Sequence, residues 1–137
     1  MTTPRKRRKQ DTPDTFRCAV YTRVNVGSSL RPLRLQRKAI HAFLTTRKSQ
    51  GWVRLTPTYE DVRYSAGNMN RPALQRLLAD IEAGNVDCVV VYDLARLTRS
   101  ESDQAELLAR FRRAGVSLVT VSHEDYLVEA KKAGIET

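Results

Sequence analysis

The chain has 137 residues, 41% hydrophobic and 28% charged, a composition typical of one soluble globular domain with its own core. Its net charge of +9 and pI near 10.1 favour a polyanionic partner, DNA or RNA first, although a merely basic surface would give the same charge. Because no membrane-length apolar run, signal-peptide pattern or zinc-type cysteine spacing occurs in the sequence, we expect a cytoplasmic protein with no membrane partner.

Residues 1–15 are predicted to form a disordered basic tail, because they offer almost no apolar side chain to a core. Five consecutive cations in this tail are expected to contact DNA phosphates without sequence preference: Arg5, Lys6, Arg7, Arg8 and Lys9. Residues 16–137 are then predicted to form the folded domain.

Apolar periodicity and turn residues divide that domain into alternating strands and helices. In chain order we predict a strand over 16–24, a helix over 33–49, a strand over 52–61, a helix over 71–83, a strand over 86–92, a helix over 100–114, a strand over 116–121 and a short helix over 123–133. Pro57 places the second strand at a sheet edge, and Asn70 and Ser100 are expected to cap the second and third helices. The alternation predicts an α/β fold with a central, mostly parallel sheet of four to five strands flanked by helices. Cys18 and Cys88 fall inside predicted strands and are expected to be buried thiols.

Charged and polar side chains follow the carboxyl ends of the predicted strands. In a parallel sheet these ends share one edge, which collects Arg23, Asn25, Asp61, Asp93, Arg96 and Arg99. The apolar run from Val86 to Tyr92 is typical of a strand buried on both faces, and the segment that follows it, up to Ser100, is predicted to be a loop. A guanidinium presents a planar fork of donors that fits two phosphate oxygens. Each arginine alone predicts only a helix cap or a surface ion pair, but Arg23, Arg96 and Arg99 together predict an anion site.

Several short motifs occur in a characteristic order between residues 16 and 122. They are Tyr21-Thr-Arg-Val24, Gln36-Arg-Lys-Ala-Ile40, Gly51-Trp52, Tyr59-Glu-Asp61, Tyr64-Ser65, Asn70-Arg-Pro-Ala-Leu-Gln-Arg-Leu-Leu-Ala-Asp-Ile81, Ala83-Gly84, Val86-Asp-Cys-Val-Val-Val-Tyr92, Arg96-Leu-Thr-Arg-Ser100 and Gly115-Val116. In this combination the chain resembles the catalytic domain of the serine site-specific DNA recombinases, the resolvases, invertases and large serine integrases. The resemblance implies a three-layer resolvase-like domain that acts on DNA in dimers and tetramers. It also implies a serine nucleophile that forms a 5′-phosphoserine link, with no metal or other cofactor.

The resemblance further implies roles for individual residues. By motif, the family's active-site arginines match Arg23, Arg71, Arg96 and Arg99, and two supporting residues match Gln36 and Asp61. Where the family has its nucleophilic serine this chain has Asn25, and where the family has an aspartate before the arginine pair it has Ala95. An asparagine amide has no ionisable hydroxyl and cannot form the phosphoester. Arg63 and Ala66 stand where glycine is usual, and the family's long dimerisation helix and DNA-binding domain are expected to be missing.

Three function hypotheses follow. The preferred one is a degenerate recombinase domain that binds DNA or an intact serine recombinase without chemistry of its own. Its expected partners are DNA and either further copies of the chain, in a homodimer or tetramer, or an intact serine recombinase. The second is an active recombinase with an unusual nucleophile such as Ser28 or Ser29. The third is a metal-dependent phosphotransfer site in which Asp61 and Asp93 hold Mg²⁺, although the surrounding arginines would compete for these carboxylates.

Overall fold

The computed structural model describes residues 15–122 and the backbone of residues 127–129. Within them the strands are β1 (Phe16–Val24), β2 (Trp52–Arg54), β3 (Tyr59–Val62), β4 (Cys88–Val91), β5 (Ser117–Thr120) and β6 (Leu127–Glu129). The helices are α1 (Arg31–Arg47), which a 3₁₀ turn extends, α2 (Pro72–Glu82), the single turn α3 (Leu94–Leu97) and α4 (Glu101–Ala114).

The strands form one sheet in the order β2-β1-β4-β5-β6, and β3 also pairs with β1. β1 is parallel to β2, β3 and β4, and β4 is parallel to β5, whereas β6 is antiparallel to β5. The prediction of an α/β fold with a central, mostly parallel sheet is therefore confirmed. After β1 the chain passes to β2 and β3 on one side of β1, and then returns through α2 to β4 on its other side. β1 and β4 therefore flank a topological switch point, where ligand crevices open in such sheets.

Helices cover both faces of the sheet. On one face α1 packs Ile40 and Leu44 against strand residues that include Val20. On the other face α2 and α4 pack side chains such as Leu77 and Phe111 against the alternate strand residues. This arrangement makes the domain three-layered, as expected.

The two cysteines lie on the α1 face of the sheet as free and fully buried thiols, as predicted. Cys18 of β1 is the register partner of Cys88 of β4. Burial raises the pKa of the Cys88 thiol, and a hydrogen bond with Cys18 raises it further. Cys88 therefore remains a protonated core residue at neutral pH.

Three predictions of local structure are wrong. The strand over 52–61 is split into β2 and β3, because Pro57 lies between them and has no N–H to donate. The segment after β4 was expected to be a loop, but it folds into the helical turn α3 before α4 begins. Leu127–Glu129, inside the helix predicted over 123–133, instead pairs with β5 as a strand. The remainder of that predicted helix, and residues 1–14 of the predicted tail, lie outside the described residues.

The predictions that depended on turn residues hold at the third helix. Ser100 caps α4, where its Oγ accepts a hydrogen bond from the N–H of Asp103 at 3.2 Å, and Gly115 ends the helix in the left-handed conformation at φ 71°. Arg63 also adopts a positive φ, of 65°. This is the position where glycine is usual in the family that the chain resembles. A side chain at that φ is strained, so the backbone requirement at position 63 remains although the glycine is gone.

Candidate functional site

The candidate site begins where β1 ends, at the switch point between β1 and β4. Arg23 is fully buried there, and Gln36 of α1 binds its backbone twice. The N–H of Arg23 donates to Gln36 Oε1 at 3.1 Å, and Gln36 Nε2 donates to the carbonyl of Arg23 at 2.8 Å. The Gln36 side chain thus supplies the two backbone hydrogen bonds that a neighbouring strand would make to Arg23, and it links α1 to the end of β1.

The guanidinium of Arg23 is bound entirely by neutral protein acceptors. It donates to the amide oxygen of Asn25 (2.5 Å) and to the carbonyls of Tyr64 (2.6 Å), Ala95 (3.0 Å) and Arg96 (2.9 Å). These four bonds leave Arg23 little capacity for an external ligand in this state.

Arg71, immediately before α2, is held in a similar way. Its guanidinium donates to Asn68 O (3.0 Å), Tyr21 Oη (2.9 Å), Arg96 O (3.1 Å) and Leu97 O. Arg23 and Arg71 together therefore bind the carbonyls of three consecutive residues, 95 to 97, in α3. The last carbonyls of a helix have no partner within the helix, so the two buried arginines cap α3 and orient it.

The cap of α2 is Asp61, and the prediction that Asn70 caps this helix is wrong. One Asp61 oxygen accepts the N–H of Ala73 at 2.8 Å, and the other accepts the N–H of Leu74 at 3.1 Å and the hydroxyl of Tyr21 at 2.7 Å. A carboxylate is favoured at the positive end of a helix, and it reaches this point from β3. With three donors already bound, both oxygens of Asp61 serve the fold.

Arg96 and Arg99 differ from the two buried arginines. Arg99 is exposed and makes no hydrogen bond or ion pair with any other described residue. Arg96 lies partly at the surface, with its Nη1 3.4 Å from the carbonyl of Arg23 and its Nε 3.7 Å from Asp93 Oδ1. These two side chains are the ones that can turn towards a ligand without breaking a buried network.

The four arginines give the site an excess of positive charge. Burial, and then repulsion by Arg71, Arg96 and Arg99, lower the pKa of Arg23 to about 10, and Tyr21 only partly offsets these effects. Arg23 still carries its charge at neutral pH. Among the described residues, Asp93 is the one carboxylate in ion-pair range of these arginines. An anion bound beside them would therefore reduce their mutual repulsion.

The tyrosine in this network stays neutral. Burial raises the pKa of Tyr21 far above its ordinary value, and the hydrogen bond to Asp61 adds to the rise, while Arg71 opposes it. The hydroxyl accepts from Arg71 and donates to Asp61. The Tyr21 hydroxyl therefore links the buried guanidinium of Arg71 to the buried carboxylate of Asp61 by hydrogen bonds. Tyr21 is a site residue that its motif alone did not single out, although strand alternation places it on the same face as Arg23 and a buried phenol needs a partner.

Position 25 holds an amide whose oxygen accepts a hydrogen bond from Arg23. A turn follows, in which the N–H of Ser28 donates to the carbonyl of Asn25 at 3.1 Å. Ser29 is exposed, and its Oγ accepts the N–H of Arg31 at 3.2 Å. Thr22 points to the opposite face of the sheet, where its hydroxyl donates to Glu60 at 2.7 Å.

The remaining predicted features separate from this site. Position 95 contributes only its backbone carbonyl, because Ala95 has no polar side chain. The basic cluster from Arg5 to Lys9 lies outside the described residues. No three His, Cys, Asp or Glu side chains of the described residues are grouped to hold a metal ion. In the same part of the chain, every helix is too short or too polar to cross a membrane.

Comparison with known proteins places this geometry in a family. Residues 18–134 match the family described as the resolvase N-terminal domain. The N-terminal catalytic domain of TP901-1 integrase is 33% identical over 78% of each chain, with a TM-score of 0.64. A resolvase family site-specific recombinase from Streptococcus pneumoniae is 25% identical over 88% of this chain and 81% of its own, with a TM-score of 0.68. The C-terminal catalytic domain of ISC1926 TnpA, an IS607-like serine recombinase, shares the fold at 24% identity over 77% of this chain and 70% of its own, with a TM-score of 0.64. No curated protein sequence matches the chain.

Proposed function

Because the chain belongs to the family of the resolvase N-terminal domain, the serine recombinases of site-specific recombination, we propose that it binds DNA phosphate without forming the phosphoserine link. The observation that carries this proposal is the arrangement of four arginines around α3. Arg23 and Arg71 bind the carbonyls of α3 from within, whereas Arg96 is partly exposed beside them and Arg99 is exposed. A support held by two buried arginines, with two further cations at its surface, suits a phosphate of the DNA backbone.

The absence of phosphoserine chemistry in the proposal rests on Asn25. A phosphoester needs an oxygen nucleophile that can lose its proton, and an amide oxygen is an acceptor only. The Asn25 oxygen accepts a hydrogen bond from Arg23 at 2.5 Å, so the group that would help to activate a nucleophile is instead occupied by the amide. Ala95 removes a carboxylate from the same site.

The proposed partners are DNA and other recombinase chains. The net charge of +9 supports a polyanion. Three of the exposed large apolar residues lie in the segment from the end of β1 into the first turns of α1: Val26, Leu30 and Leu35. Exposed apolar groups beside a charged site favour contact with a second protein. We therefore extend the proposal to assembly on DNA, either with further copies of this chain or with an intact serine recombinase.

Cleavage of supercoiled DNA tests the proposal. The wild type, Asn25→Ser and Asn25→Ser/Ala95→Asp would each be incubated with a supercoiled plasmid library of random inserts and quenched with denaturant. Covalent protein–DNA adducts would then be collected on a filter. We expect adducts from the double variant and none from the wild type, with both proteins binding duplex DNA in the absence of denaturant. The double variant also shows whether the library contains a usable site.

An active recombinase with another nucleophile is the second candidate, and one contact favours it. The turn closed by Ser28 N–H and Asn25 O brings the backbone of Ser28 back towards the end of β1. A wild-type adduct that disappears in Ser28→Ala, and whose phosphopeptide carries Ser28, would replace the proposed function by this one.

A further inference from the structure

The arginine site contains one ion pair with unusual geometry. Asp93 Oδ1 and Arg96 Nε are 3.7 Å apart, beyond the 2.7–3.2 Å of an N–H···O hydrogen bond. Both atoms are buried, and neither has a hydrogen-bond partner among the described residues. Their side chains are only partly shielded, with exposures of 37% for Asp93 and 19% for Arg96. The two charges therefore attract each other while each keeps an unused hydrogen-bonding position.

A structural role for Asp93 does not account for this arrangement. Asp93 occupies the N-cap position of α3, but its side chain accepts no hydrogen bond from the helix. Arg96 is also weakly held at its other end, since its Nη1 lies 3.4 Å from the carbonyl of Arg23. By contrast, Arg23 and Arg71 each make four hydrogen bonds. Arg96 is thus held only loosely beside the two firmly bound arginines, and Asp93 is its counter-ion.

We propose that Asp93 is a latch on Arg96: it retains the guanidinium in the ligand-free protein, and an incoming DNA phosphate must displace it. When the Arg96 guanidinium turns away from Asp93, its Nε, which is buried in the ligand-free protein, can donate to a phosphate oxygen at a true hydrogen-bond distance, which the carboxylate does not reach. Asp93 therefore positions Arg96 and also weakens anion binding, because the carboxylate competes with the phosphate for one cation. The inference rests on the proposed function for the identity of the anion.

Asp93→Asn tests the latch because it keeps the shape of the side chain and removes its charge. Binding to a short fluorescein-labelled DNA duplex would be measured by anisotropy at several salt concentrations. We expect affinity to rise about threefold to fivefold at low salt, in line with the strength of partly exposed ion pairs. Glu101→Gln is the matched control, since Glu101 is exposed, makes no ion pair within the described residues and changes the net charge equally. It should leave affinity nearly unchanged.

A double-mutant cycle separates a latch from a general change in charge. The gain from Asp93→Asn should vanish when Arg96 is already replaced by Met, because the latch then has nothing to hold. Asp93→Glu, which keeps the charge, should show none of the gain in DNA affinity. A gain that persists without Arg96, or an affinity that falls or does not change in a folded Asp93→Asn protein, would overturn the latch. If Arg96→Met and Arg99→Ala also bind DNA like the wild type, the proposed function itself is wrong. If these two variants bind DNA more weakly while Asp93→Asn shows no gain, only the latch is wrong.

Discussion

The clearest consequence of the structure is that two arginines of one site should respond oppositely to removal. Arg23 is buried with four protein acceptors, whereas Arg99 is exposed with none among the described residues. We predict that Arg23→Met destabilises the fold. We predict that Arg99→Ala leaves stability unchanged and weakens DNA binding.

The magnitudes follow from the contacts. Met keeps the apolar bulk of Arg23 but leaves one amide oxygen and three carbonyls without their donor. Orphaned buried groups cost about 1–3 kcal/mol each, although carbonyls with a second bond or access to water cost less. Removing Arg23 also relieves its burial and its repulsion by Arg71, Arg96 and Arg99, the same causes that lower its pKa to about 10. The net loss in free energy of unfolding should be about 2–4 kcal/mol. For Arg99→Ala the change should stay within about 0.5 kcal/mol.

Two assays measure these effects. Urea unfolding followed by the fluorescence of Trp52, the single tryptophan, gives the free energy of unfolding. The salt dependence of DNA affinity gives the number of phosphates neutralised, and its slope should fall by about 0.9 in Arg99→Ala if Arg99 contacts one phosphate. If Arg23→Met is as stable as the wild type, or if Arg99→Ala lowers stability as much as Arg23→Met does, then the division of the cluster into supporting and binding arginines is wrong.

Three further predictions concern the support of the site. Asp61→Ala removes the acceptor of three buried donors and should lower the free energy of unfolding by about 3–5 kcal/mol in urea, and a loss below about 1 kcal/mol would argue against the capping role. Burial alone would raise the pKa of Glu60, but hydrogen bonds from Arg37 and Thr22 lower that pKa below its ordinary value of 4.5. Ionised Glu60 therefore stabilises the fold above pH 4.5, and this stabilisation is lost as the pH falls further and the carboxylate is protonated. The stability difference between the wild type and Glu60→Gln should therefore shrink from pH 7 to pH 3, and an unchanged difference would contradict the assignment. Arg63→Gly should raise the melting temperature, because it relieves the backbone strain at φ 65°. The gain should be about 0.5–1 kcal/mol after subtraction of the larger conformational entropy that glycine gives the unfolded chain. A lower melting temperature would show that Arg63 is not strained.

The sequence predicts the layers of this fold well because apolar periodicity reports directly on burial. β1 was predicted with its observed bounds, and α4 with its Ser100 cap and its Gly115 end. These elements are specified by local chemistry, namely strand alternation, a capping hydroxyl and a residue that tolerates positive φ. The order of the short motifs predicted the family, and the comparisons with known proteins confirm it.

The details of the site could not be predicted because they depend on contacts between distant residues. The cap of α2 comes from Asp61, and only the pairing of β3 with β1 brings that carboxylate to the helix. Asn70 has the right side chain for a cap and lies close by in sequence, yet the extended backbone of Arg71 before Pro72 gives the cap position to Arg71. Likewise the four arginines look equivalent in sequence, but in the structure Arg23 and Arg71 are buried, Arg96 is partly exposed and Arg99 is exposed.

That division also changes what the presence of each arginine means. Arg23 and Arg71 cap α3 and connect β1, α2 and the segment after β4, so their contacts within the fold account for them whether or not the chain does chemistry. Their presence is therefore no argument for catalysis. Arg99 makes no contact that the fold needs within the described residues, and its charge adds to the repulsion that lowers the pKa of Arg23. A cation placed where it opposes its neighbours and stabilises no contact is what the proposed anion site requires, so the effect of Arg99→Ala on DNA affinity is the measurement that most directly tests whether this site binds DNA.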